Sequence, residues 1–398
     1  MLRKQITSIK RILKSSEPMD CFKMQLKTLK LFGVFLDSST TVYRKSLSIF
    51  PSFLVLKLCV VSTLYILADD VAFEDKLQGS FTAITSFLCV VKLYYTLKHQ
   101  EKLLNLLKTL KSRVDYVTEE ETKTLNREAV FPTFVCYLML QASSVISCLT
   151  YGLFPIGSSN YNKSFPVYGW YPHYFSTGNA YKLAYTMQLM SIISASTLWV
   201  CVDTINFGLL AHHNAMLKIL GLRLSHLGWP REPKKRTAND AHNYNRLCEC
   251  VEYHLQISRY QSETTEIYSS ILFAKITLSV MIICSFVYTL GLKVSNYGSF
   301  TAHMGILSVI VSTLFMISWT SEQICATSDN LLNKAVECNF QHMDRKTITA
   351  LLIVMQGLNN TVLIEVGSTF KIIVNLKMFV KIMDFAYKCL ALLKTAAA

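Results

Sequence analysis

The residues of this 398-residue chain that could do chemistry argue against catalysis. His212 and His213 are adjacent, with no third ligand at HxxxH spacing. Cys248 and Cys250 form a CxC without the second pair that closes a zinc site, so no metal is expected. The other cysteines fall mostly in apolar stretches, where they serve as small hydrophobes. No Gly-rich phosphate loop and no G-x-S-x-G elbow stands out, so neither an enzyme nor a cofactor is expected. Three sets of helical positions carry more. Tyr181, Tyr185, Gln188, Ile192, Ala195, Trp199 and Asp203 follow steps of three and four and share one helix face, with Ser191 a turn beyond Gln188. Ser144, Cys148 and Tyr151 make a similar series upstream, and Phe87 and Val91 one turn of another helix. Aromatic rings with a few hydroxyls at this spacing suit ordinary packing between helices. Trp199 and Asp203 sit deepest and are expected to join the packing. Near the carboxyl end, Lys377, Lys381, Asp384 and Lys388 fall within about 60° of one another at ~100° per residue, one narrow polar stripe on an apolar helix. Such a stripe belongs against water or a bundle interior, unless the lysines merely snorkel and pair with acids.

The elements that must position these groups are membrane helices. Hydrophobic residues make up 51% of the chain and charged ones 17%, with a mean hydropathy of +0.32. Six stretches are long and nearly charge-free: 51–68 (only Lys57), 79–97 (only Lys92), 129–153, 183–202, 267–290 (only Lys275) and 294–321. The seventh is ambiguous, because 347–364 is charge-free while 370–393 carries the polar stripe. The amino terminus lacks an apolar segment followed by a small-residue cleavage site, so no signal peptide is expected.

Formal net charge is +14, and its distribution sets an orientation. Segments 1–50, 98–128, 204–266 and 322–369 together hold 28 Lys and Arg, against four in 69–78, 154–182 and 291–293. The positive-inside rule then puts the amino terminus inside and, with seven spans, the carboxyl terminus outside. A G-protein-coupled receptor would run the other way. It would also show an acid-Arg-Tyr triplet, prolines in the late spans and a cysteine in the second outer loop; here the last proline is Pro233 and 150–181 lacks cysteine. The basic run Arg231, Lys234, Lys235 and Arg236 reads as an inner loop beside anionic lipid rather than a nucleic-acid site. Asn162-Lys163-Ser164 is a glycosylation acceptor sequon in an expected outer loop, whereas Asn359-Asn360-Thr361 should stay unmodified inside.

The segment 165–188 carries Pro166, Trp170, Pro172, Tyr181, Tyr185 and Gln188 in the order that resembles the insect odorant receptor family. The resemblance continues through Asp203, Ser279, Cys284, Ser328 and Ala335 to Lys381, Ala386, Tyr387, Leu392, Leu393 and Lys394, and departs from it at Phe340 and at Gln356-Gly357. Gustatory receptors of the same superfamily end their last helix differently, with a Q-F pair where this chain has Leu393 and Lys394. The shared coreceptor carries an insertion that 204–266 lacks.

The resemblance implies an all-α membrane protein of seven transmembrane helices in the inverted topology, its last part split into a cytoplasmic anchor and a pore-lining helix. It implies an odorant-tuning subunit of a non-selective cation channel, assembled with the coreceptor as a tetramer in the plasma membrane of olfactory sensory neurons. Residues 1–346 would form helices one to six and 347–398 the anchor (347–364) and pore helix (370–393). A small volatile organic ligand would sit in the outer half of spans two to six, among Phe87, Val91, Ser144, Cys148, Tyr151, Tyr181, Tyr185, Gln188 and Ser191. The pore would involve Lys381, Asp384 and Tyr387, then Leu390 and Lys394 by family alignment, or Ala391 by its helical angle relative to the stripe.

Overall fold

The computed structural model describes residues 21–34, 42–69, 71, 73–112, 118–157, 165–172, 175, 178–229, 236–291, 297–358, 362–367 and 371–397. The sequon at Asn162, the basic run 231–235 and Asn359-Asn360-Thr361 lie outside the described residues. A short helix α1 (Lys23–Leu31) precedes α2 (Val42–Leu67), α3 (Phe73–Lys98) and α4 (Gln100–Ser112). Next come α5 (Glu119–Leu125), one π-helical turn (Asn126–Val130) and α6 (Phe131–Gly157), then α7 (Gly178–Ser225), α8 (Arg236–Gly291) and α9 (Tyr297–Val336). The chain ends with α10 (Arg345–Leu358), the strands β1 (Glu365–Val366) and β2 (Ile372–Ile373), and α11 (Leu376–Ala397). This is an all-α membrane protein. Among the described residues, six helices are long and apolar enough to cross a membrane: those at 49–67, 78–98, 119–153, 178–225, 242–287 and 303–336.

Helix α7 is the axis of the bundle, touching α1, α2, α3, α6, α8 and α9. Its apolar residues are distributed all round rather than on one stripe, the pattern of a helix buried on every side. At 48 residues it is about 72 Å long, more than twice the ~30 Å of hydrocarbon. Helix α8, at 56 residues, runs further still. The parts of α7 and α8 beyond the apolar stretches pack together at one end, where ionic contacts join apolar ones such as those of Leu217, Leu220, Leu247 and Ile257. Thr118 and Glu121 form a reciprocal capping box at the start of α5. Glu121 also accepts from Arg223 Nε at 2.6 Å, and the Arg223 guanidinium lies 4.5 Å from the Tyr253 ring centroid. Lys218 pairs with Glu128 at 2.6 Å. The reverse turn after α7 has Gly228 at φ +77°, with the Asn339 carbonyl where a Cβ would stand. Glycine is the residue that both the dihedral and the approach allow.

The ambiguous carboxyl-terminal region resolves into two helices with a hairpin between them. Helix α10 begins where Asp344 accepts from the Thr347 amide at 3.0 Å, a contact that holds the Asp344 carboxyl below its ordinary value. It has 14 residues, about 21 Å, too short to span the hydrocarbon. Helix α11 starts at Leu376, six residues later than the expected 370, because the Asn375 side chain caps it by accepting from the Met378 amide at 2.8 Å. The residues before it are drawn into the antiparallel pairs Glu365 with Ile373 and Val366 with Ile372.

Candidate functional site

An apolar cavity of about 80 Å3 lies between α2, α3, α6, α7 and α9. A single water needs roughly 15 Å3 by the same measure, so the space suits a small organic molecule. Helix α3 contributes Phe81, Thr82, Thr85, Ser86 and Cys89, and α6 contributes Ser144, Ser147, Cys148 and Tyr151. Ile192, Ala195, Ser196, Trp199 and Val200 come from α7, and Ile306, Val309 and Ile310 from α9; Leu58 and Val167 complete the wall. Helical steps of three and four explain why each helix supplies one face.

Val167 belongs to the segment 165–172, which lies across that end of the bundle as a strap. Its backbone is pinned at both sides. Gln188 Nε2 donates to the Val167 carbonyl at 2.7 Å, the Trp170 amide donates to the Val61 carbonyl at 3.1 Å, and the Tyr168 hydroxyl donates to Gln78 Oε1 at 2.6 Å. Phe165 stacks on Tyr171 at 4.5 Å and leans on Tyr181 at 5.1 Å. The Tyr185 hydroxyl donates to the Gly152 carbonyl at 2.6 Å, tying α7 to α6.

The expected ligand residues therefore separate into groups. Ser144, Cys148 and Tyr151 line the cavity. Tyr181, Gln188 and Ser191 are buried in α7 outside it: Gln188 holds the strap, and the Ser191 hydroxyl turns back to the Met187 carbonyl at 2.7 Å. Tyr185 lines a second hollow of about 300 Å3 between α6 and α7, which shares Ser144, Cys148 and Ser196 with the first. Phe87 is 51% exposed, and Val91 lies on the same side of α3. Both sit about half a turn round the helix from Thr82, Ser86 and Cys89, so it is the opposite face of α3 that meets the cavity. Trp199, expected to be too deep, forms part of the wall.

One turn beyond the cavity wall lies a cluster of charges that no single segment of sequence announces. Lys92, a turn past Cys89, and Lys275 of α8 both reach Asp203, a turn past Trp199, each ammonium 2.8 Å from its own carboxylate oxygen. Lys92 and Lys275 are at most 1% exposed and Asp203 3%. Two ammonium groups thus share one carboxylate. The surplus charge is stabilised partly by Trp199, whose ring centroid lies 3.5 Å from Lys92 Nζ, well inside cation–π range. Lone charges inside apolar spans call for a buried partner; Lys92 and Lys275 stand out in sequence as such, while Asp203 lies just past the charge-free stretch 183–202.

His212 and His213 are buried in α7. His212 Nδ1 lies 2.7 Å from the Gly208 carbonyl and its ring 5.4 Å from Phe22, which gives it a packing role. No group of three His, Cys, Asp or Glu side chains that could hold a metal occurs among the described residues.

On α11, Ile382 and Ala386 are buried against α8 and α9, and Phe379 meets Phe315 at 5.5 Å. Lys377, Lys381, Asp384 and Lys388 are all exposed on the opposite side, with Lys388 and Asp384 paired at 2.7 Å. Tyr387 is 69% exposed and Ala391 is exposed too. Leu390 and Lys394 belong to this helix, but their side chains lie outside the described residues.

Residues 72–387 match the family model for the 7tm odorant receptors. The chain is 27% identical over 255 residues to odorant receptor Or1 of Anopheles gambiae, a match covering 58% of this chain and 60% of that one. It is 26% identical over 327 residues to odorant receptor 94a of Drosophila melanogaster, covering 80% and 81%. The fold is similar to olfactory receptor OR5 of Machilis hrabei in complex with eugenol, with a TM-score of 0.79 at 16% identity over 94% of this chain and 97% of that one. For the structure of the same receptor described without eugenol the TM-score is 0.76, at 18% identity over 98% of each chain.

Proposed function

Because the chain belongs to the 7tm odorant receptor family, we propose that it is the odorant-binding subunit of a ligand-gated, non-selective cation channel, assembled with the odorant receptor coreceptor as a tetramer. The observation that carries this reading is the disposition of α11. Its apolar side is spent on α8 and α9, while the side facing away from its own bundle presents Lys377, Lys381, Asp384 and Lys388 beside exposed Val380 and Tyr387. A membrane helix with charges facing away from its own fold needs water or another subunit there. A central pore surrounded by such helices supplies both. The positions bordering the conduction path are then Lys381, Asp384, Tyr387 and Ala391, with Leu390 and Lys394 at the outer end.

The cavity supplies the other half of the mechanism. It is mostly apolar and small, as recognition of a volatile molecule by shape requires. It lies against α3 and α7, and α8 packs both on α3 and on α11, so a ligand that spreads or tightens the cavity wall has a contiguous packed route to the pore helix. In the proposed orientation the amino terminus is inside, the strap at 165–172 faces out, and the extended ends of α7 and α8 form the inner anchor with α10. The inner segments hold the 28 basic residues, as anionic inner lipid favours. The cell type follows from this reading as the olfactory sensory neuron, with the chain in its plasma membrane.

Whole-cell recording from cells expressing this chain with the coreceptor, challenged by an odorant panel, tests the function. An odorant-evoked cation current is expected, absent from cells expressing the coreceptor alone. Identical responses with and without this chain would contradict it.

A further inference from the structure

We propose that the cavity selects a neutral, otherwise apolar molecule carrying a hydrogen-bond-accepting oxygen, which the indole N–H of Trp199 and the hydroxyl of Ser144 hold. The inference rests on reading this cavity as the odorant site, and it names the ligand chemistry that the site demands. Most polar groups in the wall are already spent on the protein. Thr85 donates to the Phe81 carbonyl at 2.9 Å, Ser86 to Ala83 at 3.0 Å, Ser147 to Ser143 at 3.0 Å and Cys89 to Ala195 at 3.5 Å, while Cys148 and Ser196 bond to each other at 3.2 Å. Trp199 Nε1 and Ser144 Oγ are different. Both are buried, on residues 6% and 4% exposed, and neither has a hydrogen-bond partner in the protein. Buried polar atoms of folded proteins are nearly always satisfied, so two orphans in the wall of one cavity point to what fills it.

The atoms define the ligand. An indole nitrogen only donates, so its partner must accept. A hydroxyl both donates and accepts, so Ser144 serves a carbonyl or ether as a donor and an alcohol in either sense. A hydrocarbon would leave both groups unpaired in an apolar space. Lys92 beneath the Trp199 ring polarises the indole and makes its N–H a better donor. An anion would have to shed its hydration into an apolar cavity whose wall offers it no charged group. A protonated amine would likewise have to shed its hydration into a cavity whose wall offers it no carboxylate. A neutral oxygenated molecule is what remains.

The test is ligand-induced thermal stabilisation of the purified full-length chain, with two shape-matched sets as probes. One set is isopropylbenzene, acetophenone, 1-phenylethanol and 1-phenylethylamine; the other is heptane, 2-heptanone, 2-heptanol and 2-aminoheptane. In at least one set the ketone or alcohol should bind about tenfold more tightly than the hydrocarbon, roughly the net contribution of one well-made hydrogen bond. The amine should bind no better than the hydrocarbon. Trp199→Phe should abolish that preference, read as the ratio of ketone to hydrocarbon affinity within the variant, and Ser144→Ala, a smaller change to the fold, should narrow it. The proposal is overturned if no oxygenated probe binds, if hydrocarbon and ketone bind alike, if the amine binds as tightly as the ketone, or if both variants keep the wild-type preference. Binding is read on the chain alone, so a failure to conduct with the coreceptor is a separate result that bears on the channel reading and not on this one.

Discussion

Lys92, Asp203 and Lys275 illustrate how much a single residue can disclose and where it stops. Each stands out in sequence as a charge within or beside an apolar span, and the physics of burial says that such a charge needs a partner. What the spacing does not say is that α3, α7 and α8 meet at one point, since that depends on tertiary contacts among segments up to 183 residues apart, from Lys92 to Lys275. The stoichiometry makes an asymmetric prediction. Asp203→Asn strands two buried ammonium groups and should cost about 3–5 kcal/mol, seen as a large fall in the thermal midpoint of the purified chain. Lys92→Met leaves a balanced Asp203–Lys275 pair and should cost distinctly less. Equal losses would mean that the cluster is hydrated and not buried as described. Gln188 gives a second contrast. Its amide holds the strap carbonyl of Val167, so Gln188→Ala should weaken binding of every probe by a similar factor, of about five- to tenfold for a net cost near 1 kcal/mol. A change confined to oxygenated probes would make it a direct ligand contact instead.

Helices were legible wherever apolar length decided the matter, and less so where a cap or a face did. The six long stretches fall on α2, α3, α6, α7, α8 and α9, since a run of about twenty apolar residues leaves few alternatives. The start of α11 was misplaced because apolar Ile372 and Ile373 suit a strand as well as a helix, and only the Asn375 cap settles the boundary. The face of α3 that meets the cavity is not the one carrying Phe87, because small residues, Thr82, Ser86 and Cys89, line the cavity while the large Phe87 faces out. Two elements offer tests of these placements. Gly228→Ala sets a Cβ on the Asn339 carbonyl at positive φ and should cost about 1–3 kcal/mol, measured as a lowered thermal midpoint with ligand preference unchanged; an unchanged midpoint would mean that the turn does not close as described. Cys284 of α8 and Cys389 of α11 have their sulfurs 3.8 Å apart. Mild oxidation with copper phenanthroline should join them, shown by mass spectrometry of the linked peptides, and should suppress odorant-evoked current reversibly with dithiothreitol if α11 moves against α8 on gating. Failure to form the link would place α11 elsewhere.

At the scale of the whole molecule, the basic residues crowd one side of the expected membrane and the polar stripe of α11 faces away from the bundle, the two features on which the proposed orientation and assembly rest. Charge asymmetry was readable because it depends on counting alone; the assembly was suggested only by family resemblance, since one chain's sequence does not contain its partner's surface. Tags at the two termini of intact cells check the orientation: an amino-terminal tag should be reachable only after permeabilisation and a carboxyl-terminal tag without it. The central claim, that odorant is bound in the bundle while ions pass along the outward side of α11, is tested most directly by the reversal potential and dose response of odorant-evoked current carried by Lys381→Glu together with the coreceptor. Reversing a charge beside the path should raise cation conductance or shift the relative permeability of calcium over sodium, with the half-maximal odorant concentration within about twofold of wild type. Unaltered permeation with a shifted odorant potency would contradict the account, because Lys381 would then act on binding or gating and not on conduction.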